Sequence, residues 1–190
     1  MHVGGIDLSL TSTGVCVLRN GELEVIKRLN TKDLRGVERL MWIEHKLFEV
    51  LPNHLDLICL EGYSFGSQGR AVFNIGELGG VIRRGLHIYE MPWLEIAPHS
   101  LKKFVTGKGN TKKEDMKLHI YKRWGVEFGS SDECDAYGLA RMAEVIATGD
   151  TVGLTQAQLE AVAKPTAEYI DMKKFLHDCS VLHTGGDLVG

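Results

Sequence analysis

The chain contains no apolar run approaching the ~18–20 residues needed to cross a bilayer as a helix, which argues against a membrane partner. Its first residues run straight into a strand pattern, without the basic n-region and apolar h-region of a secretory signal. The four cysteines (Cys16, Cys59, Cys134, Cys179) form no CxxC pair, and three of them sit inside apolar stretches. They read as small buried hydrophobes in a reducing compartment, not as disulfides or zinc ligands. The expected location is therefore the cytoplasm, or a host cytoplasm for a viral gene. The eight histidines show no HxxxH spacing that would suggest a metal site. No internal repeat or low-complexity segment is present. The 190 residues, 44% hydrophobic and 25% charged, suit one full globular domain with a small appendage.

The net charge of −3 conceals an asymmetry. Between His99 and Trp124, eight basic residues (Lys102, Lys103, Lys108, Lys112, Lys113, Lys117, Lys122, Arg123) face only Glu114 and Asp115, a net +6. From Gly125 onward eleven acidic residues face four basic ones, a net −7. A basic block within an acidic protein points to a polyanion-binding patch, with a solvated helix face as the alternative.

Read in order, Val3, Ile6 and Leu8 mark a strand that carries one carboxylate, Asp7, among apolar neighbours. Burying that group is costly unless it is paired or meets a cation. A Ser/Thr-rich turn leads to a second strand at Val15–Leu18, and Asn20-Gly21 predicts a tight hairpin into a third. Val37, Leu40, Met41, Leu47, Phe48 and Leu51 recur at helical spacing before Pro52. Leu55–Leu60 reads as a strand buried on both faces, closed by Glu61. After the loop GYSFGSQGR, a helix is predicted from Ala71 to Leu86, its small residues Gly76, Gly79 and Gly80 suited to close approach, as in a dimer interface or packing on the sheet.

A fifth strand is expected over Ile88–Ile96 and a short helix capped by Ser100 over LKKFV. The next helix, with Thr111 and Glu114 as a capping box and a Met116, Ile120, Tyr121 stripe, runs to Trp124. Ser130 and Glu133 have the same capping spacing at the head of a last core helix, which Gly149 closes. Two short helices (Thr155–Lys164 and Thr166–His177) complete the chain, giving residues 1–150 as the main domain and 151–190 as a helical appendage and tail. The order βββαβαβ followed by helices implies an α/β fold. It predicts a five-stranded mixed sheet, its first three strands antiparallel, flanked by helices.

Asp132 and Asp135 stand at i and i+3 in the first turn of the last core helix, at the positive end of its dipole. With Asp7 and Glu61 they make four carboxylates from three places in the chain. Taken alone, Asp132 could be a helix N-terminal acid and Glu61 a strand-end ion pair. Converged, the four would repel one another without cations, and hard oxygen donors select Mg²⁺ or Mn²⁺.

The blocks GIDLSLTSTG, LEGYSFGSQGRAVFNIGELGGV, APHSLKKFVTGKGNTKKEDM and DECDAYGLA resemble, in order and spacing, those of the RuvC-type Holliday junction resolvases. These belong to the ribonuclease H-like superfamily. The resemblance spans about residues 3–148. It implies a ribonuclease H-like fold and a homodimeric endodeoxyribonuclease that nicks a four-way DNA junction symmetrically. It further implies two Mg²⁺ ions per site, with Mn²⁺ as a substitute, and branch-migration machinery as a further partner. Carried over by position, Asp7, Glu61, Asp132 and Asp135 match the family's metal-binding catalytic acids. Lys113 matches the lysine near the scissile phosphate, and Arg70, Lys102, Lys103, Lys108 and Lys112 match DNA-contacting positions. The family's junction-stacking aromatic falls on Ser64, flanked here by Tyr63 and Phe65, either of which could serve.

GIDLSLTSTG also resembles the phosphate-binding opening of actin-like ATPases. Those proteins require two related domains and a second Gly-rich loop, for which 190 residues leave no room. A ribonuclease H-like nuclease acting on another branched or duplex nucleic acid would share every acid named above and stays open on the residues alone.

Overall fold

The computed structural model describes residues 1–31, 33–63 and 70–184, without side-chain detail at 70–71, 113–114 and 176–184. The elements run β1 (His2–Asp7), β2 (Ser12–Arg19), β3 (Glu22–Asn30), α1 (Gly36–Val50), β4 (Leu57–Glu61) and α2 (Arg70–Ile88). They continue as β5 (Trp93–Ile96), α3 (Pro98–Thr106), α4 (Lys113–Trp124), α5 (Ser131–Thr148) and α6 (Gln156–Thr184). Asn20 and Gly21 take φ of 50° and 86°, the left-handed pair that a two-residue hairpin needs. β1, β2 and β3 are therefore antiparallel neighbours. β4 and then β5 add in parallel on the other side of β1, giving the order β3-β2-β1-β4-β5. The mixed sheet with an antiparallel first half is as the element order predicted.

Alternation along the strands splits the core into two layers. Ile6, Val15, Val17, Ile58 and Leu60 face α1 and α2, where Leu40, Ile43, Leu47, Leu78, Ile82 and Leu86 close over them. Val3, Cys16, Leu18, Leu57 and Cys59 face the opposite layer, formed by α3 to α6. α5 lies closest to the sheet. A β-carbon on Gly5 would stand 2.1 Å from the Ala136 carbonyl oxygen, so the helix rests directly on the backbone of β1.

Several local expectations are corrected. Val37 and Met41 are exposed, because the buried stripe of α1 is Leu40, Ile43 and Leu47. Tyr121 is likewise exposed on α4, leaving Met116 and Ile120 as the buried contacts. The fifth strand shrinks to Trp93–Ile96, since α2 continues through Ile88 and the chain turns at Glu90 with φ 52°. α3 starts at Pro98, whose fixed φ suits a first helical turn, and Ser100 lies inside it. Thr111 does not cap α4: the helix starts one residue later than the pattern implied, with Lys112 at its N-cap, and the Thr111 hydroxyl donates to the Lys108 carbonyl at 2.7 Å.

The two expected C-terminal helices are one. Pro165 lies inside α6 at a cost of roughly 3 kcal/mol in a helix interior. Ala161, Val162, Pro165 and Tyr169 are buried on one side of this helix, and the first, second and last of these join the α5 layer. Gln158 reinforces the seat by donating to the Phe104 carbonyl at 2.7 Å. Among the described residues no helix is long and apolar enough to cross a membrane.

Candidate functional site

The same alternation that builds the core also places the acids. Asp7 shares a face with Val3 and Gly5, and Glu61 shares one with Leu57 and Cys59, so both belong to the layer that holds α5. β1 and β4 are parallel with Ile6 opposite Leu60, which brings Asp7 and Glu61 to neighbouring strand ends. Asp7 is buried and Glu61 half-buried.

α5 brings its first turn to the same end of the sheet. Gly14 pairs with Asp7 across the β1–β2 ladder, and a β-carbon on Gly14 would stand 2.1 Å from the Asp132 carbonyl oxygen. The helix start is fixed by a full capping box. Ser130 Oγ accepts from the Glu133 amide at 3.2 Å, while the Glu133 carboxylate accepts from the Ser130 amide at 2.9 Å. Glu133 is thereby committed to the cap. Asp132 and Asp135 ride on this turn, both half-buried, with the positive end of the helix dipole beneath them.

Asp132 also has partners that no sequence pattern announced. Ser12 donates its hydroxyl to Asp132 Oδ2 at 2.5 Å, and Arg28 Nε donates to Ser12 Oγ at 2.6 Å. Arg28 Nε itself lies 3.4 Å from the same carboxylate oxygen. The three residues come from β2, β3 and α5, and Ser12 and Asp132 are 120 positions apart, so no local signal could have joined them.

The donor set fits a hard divalent cation in chemistry and in backbone placement: carboxylates from two adjacent strand ends and one helix start, at a positive dipole end. As the side chains stand, no three His, Cys, Asp or Glu groups among the described residues close on one point.

The sequence model of the family described as Crossover junction endodeoxyribonuclease RuvC matches residues 3–140. The chain belongs to the RuvC family. A RuvC from Carboxydothermus hydrogenoformans is 29% identical over 147 residues, covering 74% of this chain and 93% of that protein. The fold agrees with the Thermus thermophilus RuvC structure at a TM-score of 0.66 and 23% identity, covering 78% of this chain and 97% of that one. A second T. thermophilus RuvC structure, in complex with a Holliday junction substrate, aligns with TM-score 0.62 and 23% identity over 74% of this chain and 90% of that one. The chain therefore has the ribonuclease H-like fold of RuvC. The family is one of metal-dependent nucleases.

The remaining RuvC-like positions are spread over neighbouring elements. Lys102 and Lys103 lie on α3, half-buried, and Lys103 Nζ donates to Glu160 of α6 at 2.5 Å. Lys108 and Lys112 are exposed on the turn between α3 and α4. That turn is laced by Thr106 and Thr111, whose hydroxyls are 2.9 Å apart. Tyr63, two residues beyond Glu61, accepts from Arg83 Nη1 at 2.5 Å, and Arg83 also donates to Glu95 at 2.7 Å. The guanidinium sits 4.7 Å from the Tyr63 ring centre, so this aromatic is tethered to α2. Phe65 lies outside the described residues, as do the side chains of Arg70 and Lys113. Beside Glu61 a cleft of about 210 Å³ opens, lined by Leu8, Gly62, Tyr63, Val72, Ile75 and Pro98.

Proposed function

We propose that the chain is a structure-specific endodeoxyribonuclease that resolves four-way DNA junctions by paired, symmetric nicks. The observation that supports this reading is the nearness of the β1 and β4 strand ends, which carry Asp7 and Glu61, to the first turn of α5, which carries Asp132 and Asp135, within a chain whose residues 3–140 match the RuvC family.

Asp7, Glu61, Asp132 and Asp135 would hold the cations, which we take to be two Mg²⁺ ions with Mn²⁺ as a substitute. When bound, such a pair activates a water and steadies the leaving oxygen of an in-line displacement. The residues of the chain supply the geometry. β1 and β4 fix two carboxylates on rigid backbone, and the capping box holds the α5 turn that carries the other two. Lys108 and Lys112, exposed beside Lys102, offer cations to the phosphate backbone, and Lys113 is assigned to the scissile phosphate. Tyr63 or Phe65 is assigned to the junction centre.

Symmetric nicking calls for a second copy of the chain. The outward face of α2 suits that role, with Phe73 exposed and open space above Gly76 and Gly80. The partners in this reading are junction DNA, a second protomer and branch-migration machinery. The buried, unpaired thiols of Cys16, Cys59 and Cys134 fit the reducing cytoplasm in which we place the protein.

The test is one cleavage assay with purified protein, a synthetic four-way junction and a linear duplex of the same sequence, with Mg²⁺ or with a chelator. Paired nicks in the junction alone, and only with the metal, are expected. Equal cleavage of the duplex would move the protein to a nuclease of different substrate, and no cleavage of either would remove the nuclease reading.

A further inference from the structure

Arg28 and Ser12 form a relay onto Asp132 that the nuclease reading does not use. Gly14 pairs with Arg28 and Cys16 with Ile26 in the β2–β3 ladder, so Arg28 rises from the sheet on the α5 side. Ser12, two residues before Gly14, shares that face and is buried. The guanidinium donates to the hydroxyl, and the hydroxyl donates to Asp132 Oδ2. One carboxylate oxygen thus accepts from a hydroxyl that itself accepts from a guanidinium, whose Nε lies 3.4 Å from that oxygen.

The consequence is electrostatic and geometric together. A guanidinium at that distance lowers the negative potential that Asp132 can offer a divalent ion. The bond from Ser12 holds the carboxylate toward β2 and β3, whereas Asp7 and Glu61 end β1 and β4 on the other side of it in the sheet.

We infer that Arg28, acting through Ser12, is a positioning residue that holds Asp132 in a resting orientation and competes with the catalytic cation for it. Loading the site then requires Asp132 to leave Ser12 and turn toward the strand ends. Arg28 is half exposed, with its side chain 45% accessible, so solvent screens the competition and the effect is moderate.

This inference rests on Asp132 being a cation ligand, and the experiment separates the two. Mn²⁺ binding to the full chain, without DNA, is followed by the loss of the free-ion electron paramagnetic resonance signal. The proteins are wild type, Arg28→Gln, Arg28→Lys, Ser12→Ala and Asp132→Asn, each first shown to melt cooperatively. Arg28→Gln and Ser12→Ala should bind Mn²⁺ roughly two- to five-fold more tightly, and Arg28→Lys should stay within about two-fold of wild type. Asp132→Asn should weaken binding. Unchanged or weaker binding by Arg28→Gln, with Asp132→Asn impaired, would overturn the competition alone. Unchanged binding by Asp132→Asn would overturn the ligand assignment itself.

Discussion

Gly14 and Asp132 meet with no room for a side chain between them: a β-carbon on the glycine would stand 2.1 Å from the Asp132 carbonyl oxygen. Gly14 is also the ladder partner of Asp7. One small residue therefore lets the first turn of α5 settle over the strand pair that carries the first acid. Gly14→Ala should push α5 outward, costing about 1–3 kcal/mol of stability. Cleavage should fall more than ten-fold because the acids separate. Gly80→Ala is the control, since nothing lies within 4 Å of a β-carbon there. It should melt no lower than wild type, given alanine's better helix propensity. Thermal melts and junction cleavage of the two variants check this.

The basic patch gives a second prediction. Lys102→Ala with Lys103→Ala should weaken junction binding and flatten its dependence on salt, as fewer counterions are released. Glu160→Gln should act in the opposite sense. Hydrogen bonding to Lys103 holds the Glu160 carboxylate below the usual range, so at neutral pH it stays charged and occupies that lysine. Freeing Lys103 should tighten binding and steepen the log–log salt slope by up to about 0.9. Gel shifts across a salt series measure both, and a Glu160→Gln slope equal to wild type would keep Lys103 out of the DNA contact.

The cysteines give a third. Burial pushes the Cys16 and Cys59 thiols far above the usual range, and Cys134, also through burial, up to about 11. Thiolate, the reactive form, is thus scarce at pH 8 in the folded chain. In a Cys179→Ser background, a thiol reagent should report almost no reaction under native conditions and three thiols in denaturant. Rapid native labelling of Cys16 or Cys59 would contradict the packing of β2 and β4 described above.

The mixed sheet with its antiparallel first half was legible because it rests on local patterns, whereas the four acids were named from their places in those patterns and from a family resemblance. Alternation gave the strands, Asn20-Gly21 gave the hairpin, and Ser130 with Glu133 gave the head of α5. Long-range packing was not legible in the same way. Periodicity alone could not tell which of Leu40 and Met41 would face the sheet. Pro165 reads as a break, yet the burial of Ala161, Val162 and Tyr169 keeps α6 whole. The same limit hid the Arg28–Ser12–Asp132 relay, and the pairing of Lys103 with Glu160, 57 positions away.

The most direct test of the central claim, that Asp7 belongs to a four-carboxylate centre for cations and phosphate, is Asp7→Asn. The substitution preserves shape and removes one ligand charge. The variant should bind a four-way junction with wild-type affinity in a gel shift and leave it uncut in Mg²⁺ over times that suffice for complete wild-type resolution. Cleavage by Asp7→Asn at the wild-type rate would contradict the account.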